Sequence, residues 1–142
     1  MRPESIIMFE RLFLASLALS VVSFLMSYGG MVQQIENEPA LAELGAGSGI
    51  VIGSFVFGMA IYLLLWFLIA RKALGLAKWV LVVLLALSLI SVPGMLMHLF
   101  SLTNVIGLIV YALEVAAVVY LFRKDALAWF AGEKPADPAA FD

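Results

Sequence analysis

The chain has 142 residues, 65% of them hydrophobic and only 13% charged, with a mean hydropathy of +1.12. A soluble domain runs at about 45–50% apolar and about 25% charged, and a chain this short cannot hide such a surplus in its core, so the excess faces lipid. The net charge of -2 excludes an electrostatic nucleic-acid partner. With no cysteine and a single histidine, disulfides, thiol catalysis, thiolate metal sites and a histidine metal site are excluded as well.

A spanning helix needs about 20 apolar residues, and four such segments follow one another: 9–28, 48–70, 76–98 and 103–122. Lipid offers no partners to free backbone groups, so each is expected to be a helix. The leading stretch MRPESIIMFER carries Glu4 and Glu10 beside Arg2 and Arg11. Acidic residues are unusual in a signal-peptide n-region, and no clear A-x-A site follows the apolar run, so the first segment is read as a retained helix. Its Ser16, Ser20, Ser23 and Ser27 are spaced four, three and four, which places them on one helical face. Gly29-Gly30 is expected to end this helix.

The stretch 29–47 has Glu36, Glu38 and Glu43 and no basic residue. A short interfacial helix is predicted near Pro39–Leu44, with proline at its start. The three glutamates are read as solvated rather than as a cation site. The second segment contains Gly49, Gly53, Ser54 and Gly58, including the G-x-x-x-G of GIVIG. These glycines predict a close helix contact, inside the bundle or between copies. Arg71-Lys72 closes the segment.

In the third segment only Ser88, Ser91 and Pro93-Gly94 interrupt the apolar run, and Pro93 is expected to kink or end the helix. His98 then falls at the interface as a solvated or capping residue. The fourth segment carries Glu114 near its middle and closes at Arg123-Lys124. The following DALAWF either extends that helix or lies along the membrane surface. Residues 1–132 are thus predicted to form one all-α transmembrane four-helix bundle, and the Pro- and Ala-rich residues 133–142 a disordered cytoplasmic tail.

Every lysine and arginine falls on one side of a four-crossing topology: Arg2 and Arg11, then Arg71, Lys72 and Lys78, then Arg123, Lys124 and Lys134. The positive-inside rule makes that side cytoplasmic and predicts both termini there. Trp66, Trp79, Tyr120 and Trp129 cluster near the basic ends, as interfacial aromatics do.

The segments FERLFLASLALSVVSFLMS, IYLLLWFLIARK, AKWVLVVLLALSLIS and LFRKDALAWF together cover most of the chain. Their charged pair before the first helix, AKW start of the third and AWF exit of the fourth resemble a group of small four-helix bacterial membrane proteins with no assigned activity. The resemblance implies a bacterial inner-membrane location and no chemistry. In size the chain is also similar to the small multidrug resistance family, which has four short helices and one membrane glutamate. That family places its essential acid in the first helix, whereas Glu114 is in the fourth and the other motifs of the family are absent.

Glu114 is the only charged residue deep in a span. An ionised carboxylate at mid-bilayer costs about 2.5–3.5 kcal/mol on insertion scales, so it is protonated, paired or facing water. Tyr111, one turn before it, and Ser16 and Ser20, level with it in depth, are the expected members of a polar cluster. This cluster either satisfies the acid by hydrogen bonds or lines a narrow path for a proton or cation. There is no nucleophile beside a base, no metal spacing and no phosphate loop, so neither an enzyme nor a cofactor is expected. The expected partners are the lipid bilayer and either further copies, as a homo-oligomer, or a larger membrane complex, with no nucleic acid. The favoured reading is an inner-membrane accessory or scaffold protein acting through helix contacts. Its alternative is an oligomeric proton-coupled small-solute transporter or channel using Glu114, with the path expected between protomers.

Overall fold

A computed structural model describes residues 2–43, 47–97 and 101–132, and these are helical nearly throughout, with no strand. The helices are α1 (Glu4–Glu36), α2 (Pro39–Ala42), α3 (Gly47–Ala70), α4 (Gly75–Ser88), α5 (Val92–Met97), α6 (Leu102–Tyr120) and α7 (Lys124–Ala131), with a 3₁₀ turn over Leu89–Ser91 between α4 and α5. Four units are long and apolar enough to cross a bilayer: α1, α3, the α4–α5 pair and α6. The protein is a multi-pass membrane protein built as an all-α four-helix bundle. His98, Leu44 and the tail 133–142 lie outside the described residues.

One of the expected boundaries differs. Gly29-Gly30 does not end the first helix, which continues eight residues past Tyr28 to Glu36. A helical glycine costs about 1 kcal/mol relative to alanine, too little to stop a helix that good helix formers such as Met31, Gln33 and Gln34 carry on. The stop comes where Pro39 disfavours helical geometry at Glu38, and the Asn37 N–H closes onto the Gln33 carbonyl at 3.0 Å. At 33 residues α1 is about 50 Å long, well beyond a hydrocarbon core of about 30 Å. The segment DALAWF, for its part, does not extend the fourth helix. The chain turns at Leu121–Arg123, Arg123 is extended (ψ 154°), and α7 begins afresh.

Pro93 bends its helix rather than ending it. A proline lacks the N–H that would reach the Leu89 carbonyl, and its ring crowds that carbonyl. The backbone tightens into the 3₁₀ turn at Leu89–Ser91, then resumes as α5 to Met97. The α3–α4 connection turns at Ala73, a non-glycine residue in the left-handed region (φ 53°), and the Leu74 N–H reaches back to the Leu68 carbonyl at 3.0 Å.

α1 is the central helix: it packs most extensively against α6 and next against α3, while α4 completes the bundle by touching both α3 and α6. The α1 start, α3 end, α4 start and α6 end share one end of the bundle, and all described basic residues belong to it. Nearly all the packing is there too. Ile6, Phe9, Phe13 and Leu17 of α1 meet Leu65 and Ile69, Ala77 and Leu81, and Ala117 and Leu121 in one apolar cluster that also takes in Ala126 of α7. Phe13 stacks on Phe9 and on Tyr62, with ring centroids 5.2 and 5.9 Å apart.

Polar contacts fasten the rim of this packed end. Glu10 bridges Arg2 and Arg71, the latter at 3.2 Å, joining α1 to the end of α3. Asp125 accepts hydrogen bonds from the Ser5 N–H (3.0 Å) and hydroxyl (2.7 Å), so a carboxylate from α7 caps the first turn of α1. Lys78 is buried, its Nζ lying 4.6, 5.2 and 5.4 Å from the rings of Phe122, Phe130 and Trp79. A cation against aromatic faces is attracted by their negative π-clouds, and the apolar stem of Lys78 packs alongside. Toward the other end only Gly47 and Val51 are buried among the described helical residues.

Candidate functional site

Two cavities lie about mid-span, where the packed cluster gives way to that loosely packed end. The larger-mouthed one, about 290 Å³, lies between α1, the α4–α5 bend and α6; Ser20, Ser27, Ser91, Met95, Tyr111 and Glu114 are among its walls. The second, about 300 Å³, lies against α3 and is lined by Leu17, Ser54, Gly58, Met59 and Tyr62. Ser20, Phe55 and Glu114 line both, so the two chambers meet at the carboxylate. The closed apolar cluster of the basic end begins directly beneath, at Leu17 and Phe13.

The bend at Leu89–Ser91 and the unequal packing of the helices explain why space remains here. Ser88 and Ser91, the polar interruptions of the third span, sit at the bend and face the first chamber. α5 then closes back on α6, where Met95 Sδ lies 3.3 Å from the position a Cβ would take at Gly107. A second close approach is at Gly47, where a Cβ would sit 3.3 Å from the Glu36 side chain.

Glu114 is 9% exposed, and among the described residues no hydrogen bond or ion pair reaches its carboxylate. The serines do not satisfy it. Ser16, fully buried, donates to the Phe13 carbonyl at 2.7 Å, and Ser20 donates to the Ser16 carbonyl at 2.9 Å. Ser27, Ser54 and Ser88 likewise donate to carbonyls three or four residues back in their own helices. Such back-bonding is the common fate of a hydroxyl inside a helix. It leaves the serine oxygens with free lone pairs facing the chambers.

Of the four residues expected to cluster, Glu114, Tyr111 and Ser20 come together around the first chamber, and Ser16 does not. Ser16 lies one turn deeper, inside the packed half, and lines neither chamber. Tyr62, Ser54 and Phe55 belong to the site without having been expected. A signal for two of them is present: Ser54, Gly58 and Tyr62 repeat at intervals of four, the spacing that puts residues on one helix face.

Gly49, Gly53 and Gly58 make no tight helix contact within the chain. A Cβ at any of the three would meet nothing within 4 Å. Gly49 and Gly53 lie on the exposed face of α3, and Gly58 opens into the second chamber. The glycines at close approaches are Gly47 and Gly107, neither of which forms a G-x-x-x-G pair with a neighbour in its own span. The difference arises because a small-residue motif reports that one face is flat, not which way that face turns. Among the described residues no three histidine, aspartate or glutamate side chains converge, so Glu36, Glu38 and Glu43 do not come together as a cation site.

No protein-family model, no curated protein and no solved structure compared with the chain matches it. The likeness to small four-helix bacterial membrane proteins therefore stands on the four quoted segments alone.

Proposed function

We propose that this chain is a multi-pass protein of a bacterial inner membrane, with both termini cytoplasmic, that passes a proton or small solute through a site centred on Glu114. The single observation that carries the proposal is the position of that side chain. It is a carboxylate nine-tenths buried, with no hydrogen-bond or ion-pair partner among the described residues, at the junction of two chambers. A purely structural acid would have been met by hydrogen bonds, because an unpaired buried polar group costs about 1–3 kcal/mol. An intramembrane acid that instead faces a cavity is the arrangement of proton and ion pathways.

Orientation is supported by the placement of the basic residues at one end of the bundle, and the bacterial inner membrane by the sequence resemblance. In that orientation the site begins near mid-span at Glu114, the first chamber runs from it toward the outer end, and the packed cluster closes the cytoplasmic end. The site lies within one chain, so a path between protomers is not required, and association with further copies is not needed to build it. In this reading the protein performs no covalent chemistry and works by binding and access alone.

The alternative is the accessory or scaffold role, in which Glu114 matters only to packing. The two separate on one comparison in proteoliposomes loaded with a pH-sensitive dye. Transport predicts that Glu114→Gln abolishes gradient-driven proton flux while the variant still inserts and elutes as wild type does. A scaffold predicts that Glu114→Gln is silent and Glu114→Leu impairs assembly. Equal flux in wild type and Glu114→Gln would sink the transport reading.

A further inference from the structure

Among the described residues both chambers are lined by oxygen, carbon and sulfur, with no lysine, arginine, histidine, asparagine, glutamine or tryptophan side chain in either wall. Among these residues the one formal charge is the carboxyl of Glu114. Four of the lining hydroxyls, those of Ser20, Ser27, Ser54 and Ser88, have already given their protons to backbone carbonyls. What they present to the cavity is acceptor capacity. A site of this kind favours a ligand that brings hydrogen-bond donors and positive charge, and it rejects an anion, for which it has no counter-charge.

The junction is more specific than the walls. Glu114, Ser20 and the ring of Phe55 are the side chains shared by the two chambers. Phe55 is held in place by Phe24, stacked on it at a centroid distance of 3.9 Å with the planes 11° apart. A carboxylate, a lone-pair oxygen and an aromatic ring shared by both chambers match the three N–H donors and the charge of an alkylammonium head. Leading away from that point, Met31, Val92, Met95 and Val110 give the first chamber apolar walls. At about 290 Å³ that chamber has room for a short alkyl chain.

We propose that the two chambers form one binding site for a small primary ammonium solute, its –NH₃⁺ group seated among Glu114, Ser20 and the face of Phe55 and its alkyl part in the first chamber. The proposal rests on the reading of Glu114 as a ligand-facing carboxylate and deepens it by naming the solute class. Quaternary ammonium ions fit less well, since they carry the charge but offer no N–H to the carboxylate or to the Ser20 oxygen. Neutral alcohols fit the walls and leave the acid uncompensated.

The test is isothermal titration calorimetry on the full chain in nanodiscs. The probes are n-butylammonium, n-butyltrimethylammonium, butan-1-ol and butyrate, each corrected for its partition into empty nanodiscs. Butylammonium is expected to bind, the trimethyl analogue and the alcohol to bind roughly tenfold or more weakly, and butyrate not to bind, as loss of a charge-assisted hydrogen bond implies. Glu114→Gln, nearly the same size, is expected to weaken butylammonium roughly tenfold or more, and Ser20→Ala by several-fold. Tighter binding of the trimethyl analogue, or butylammonium binding unchanged in Glu114→Gln, would overturn the assignment. If butylammonium fails to bind while Glu114→Gln still loses proton flux, the solute class is wrong and the transport reading survives. If butylammonium binds through Glu114 while flux does not depend on it, the site stands and the transport reading falls.

Discussion

Asp125 lies 120 residues from Ser5 in the chain, and the two hydrogen bonds between them are the polar tie between α7 and the start of α1. Desolvation where it meets α1 pushes the Asp125 carboxyl up. The bonds from the Ser5 hydroxyl and amide, with those from its own amide and that of Ala126, outweigh this and hold it below the usual carboxylate value. Because the folded value is depressed, the tie contributes fully above the unfolded aspartate value of about 3.9 and is lost as pH falls through the folded one. Acid, not base, therefore releases α7. Asp125→Asn keeps one acceptor oxygen and loses the charge, so it is expected to destabilise the protein by about 0.5–1 kcal/mol at neutral pH. The gap between wild type and variant should be full at neutral pH and close in acid, once the pH is below the depressed folded value. Thermal melts at neutral and acid pH check this, and a gap that persists in acid would mean that the charge of Asp125 contributes nothing to docking.

At the scale of the helices, what could be read from the sequence depended on how many residues carried the signal. The span 48–70 is observed as Gly47–Ala70 because eighteen apolar side chains speak for it together. The bend at Pro93 was equally legible, since a missing N–H acts locally and in one direction. Gly29-Gly30 misled because a small propensity penalty competes with a cooperative helix and loses. The glycines of α3 left their contact undecided for another reason: spacing defines a face but not its neighbour, and no neighbour within the chain meets it. This gives a paired prediction. Gly107→Leu projects into the first chamber against Met95 and should abolish both proton flux and butylammonium binding without changing any charge. Gly53→Leu adds the same volume where nothing lies within 4 Å and should leave both unchanged in a monomer. Loss of function in Gly53→Leu, with a shift in size-exclusion elution, would instead place that face in a contact between copies.

Across the whole molecule the decisive feature is the unequal packing of its two halves, and this no sequence pattern displays. Hydropathy along α1 is high on both sides of Ser20, yet Phe9, Phe13 and Leu17 are buried whereas Val22, Leu25 and Met26 are exposed. The same asymmetry decides the fate of the serines. Ser20, Tyr111 and Glu114 could be grouped by depth alone, but Ser16 fell on the packed side of the divide by a single turn. The absence of native cysteine makes the divide measurable one position at a time. With the first chamber running toward the outer end, Ser27→Cys and Ser91→Cys should react with a membrane-impermeant thiol reagent added outside intact cells. Ser16→Cys, fully buried beneath Glu114, should stay unreactive from either side. Butylammonium should slow labelling at Ser27→Cys, which lines the chamber it occupies. Labelling of Ser27→Cys only in inverted vesicles would reverse the orientation while keeping the site. Equal reactivity at Ser16→Cys and Ser27→Cys would mean that the packed half opens as readily as the other, and the bundle would then be a continuous pore rather than a site closed on one side.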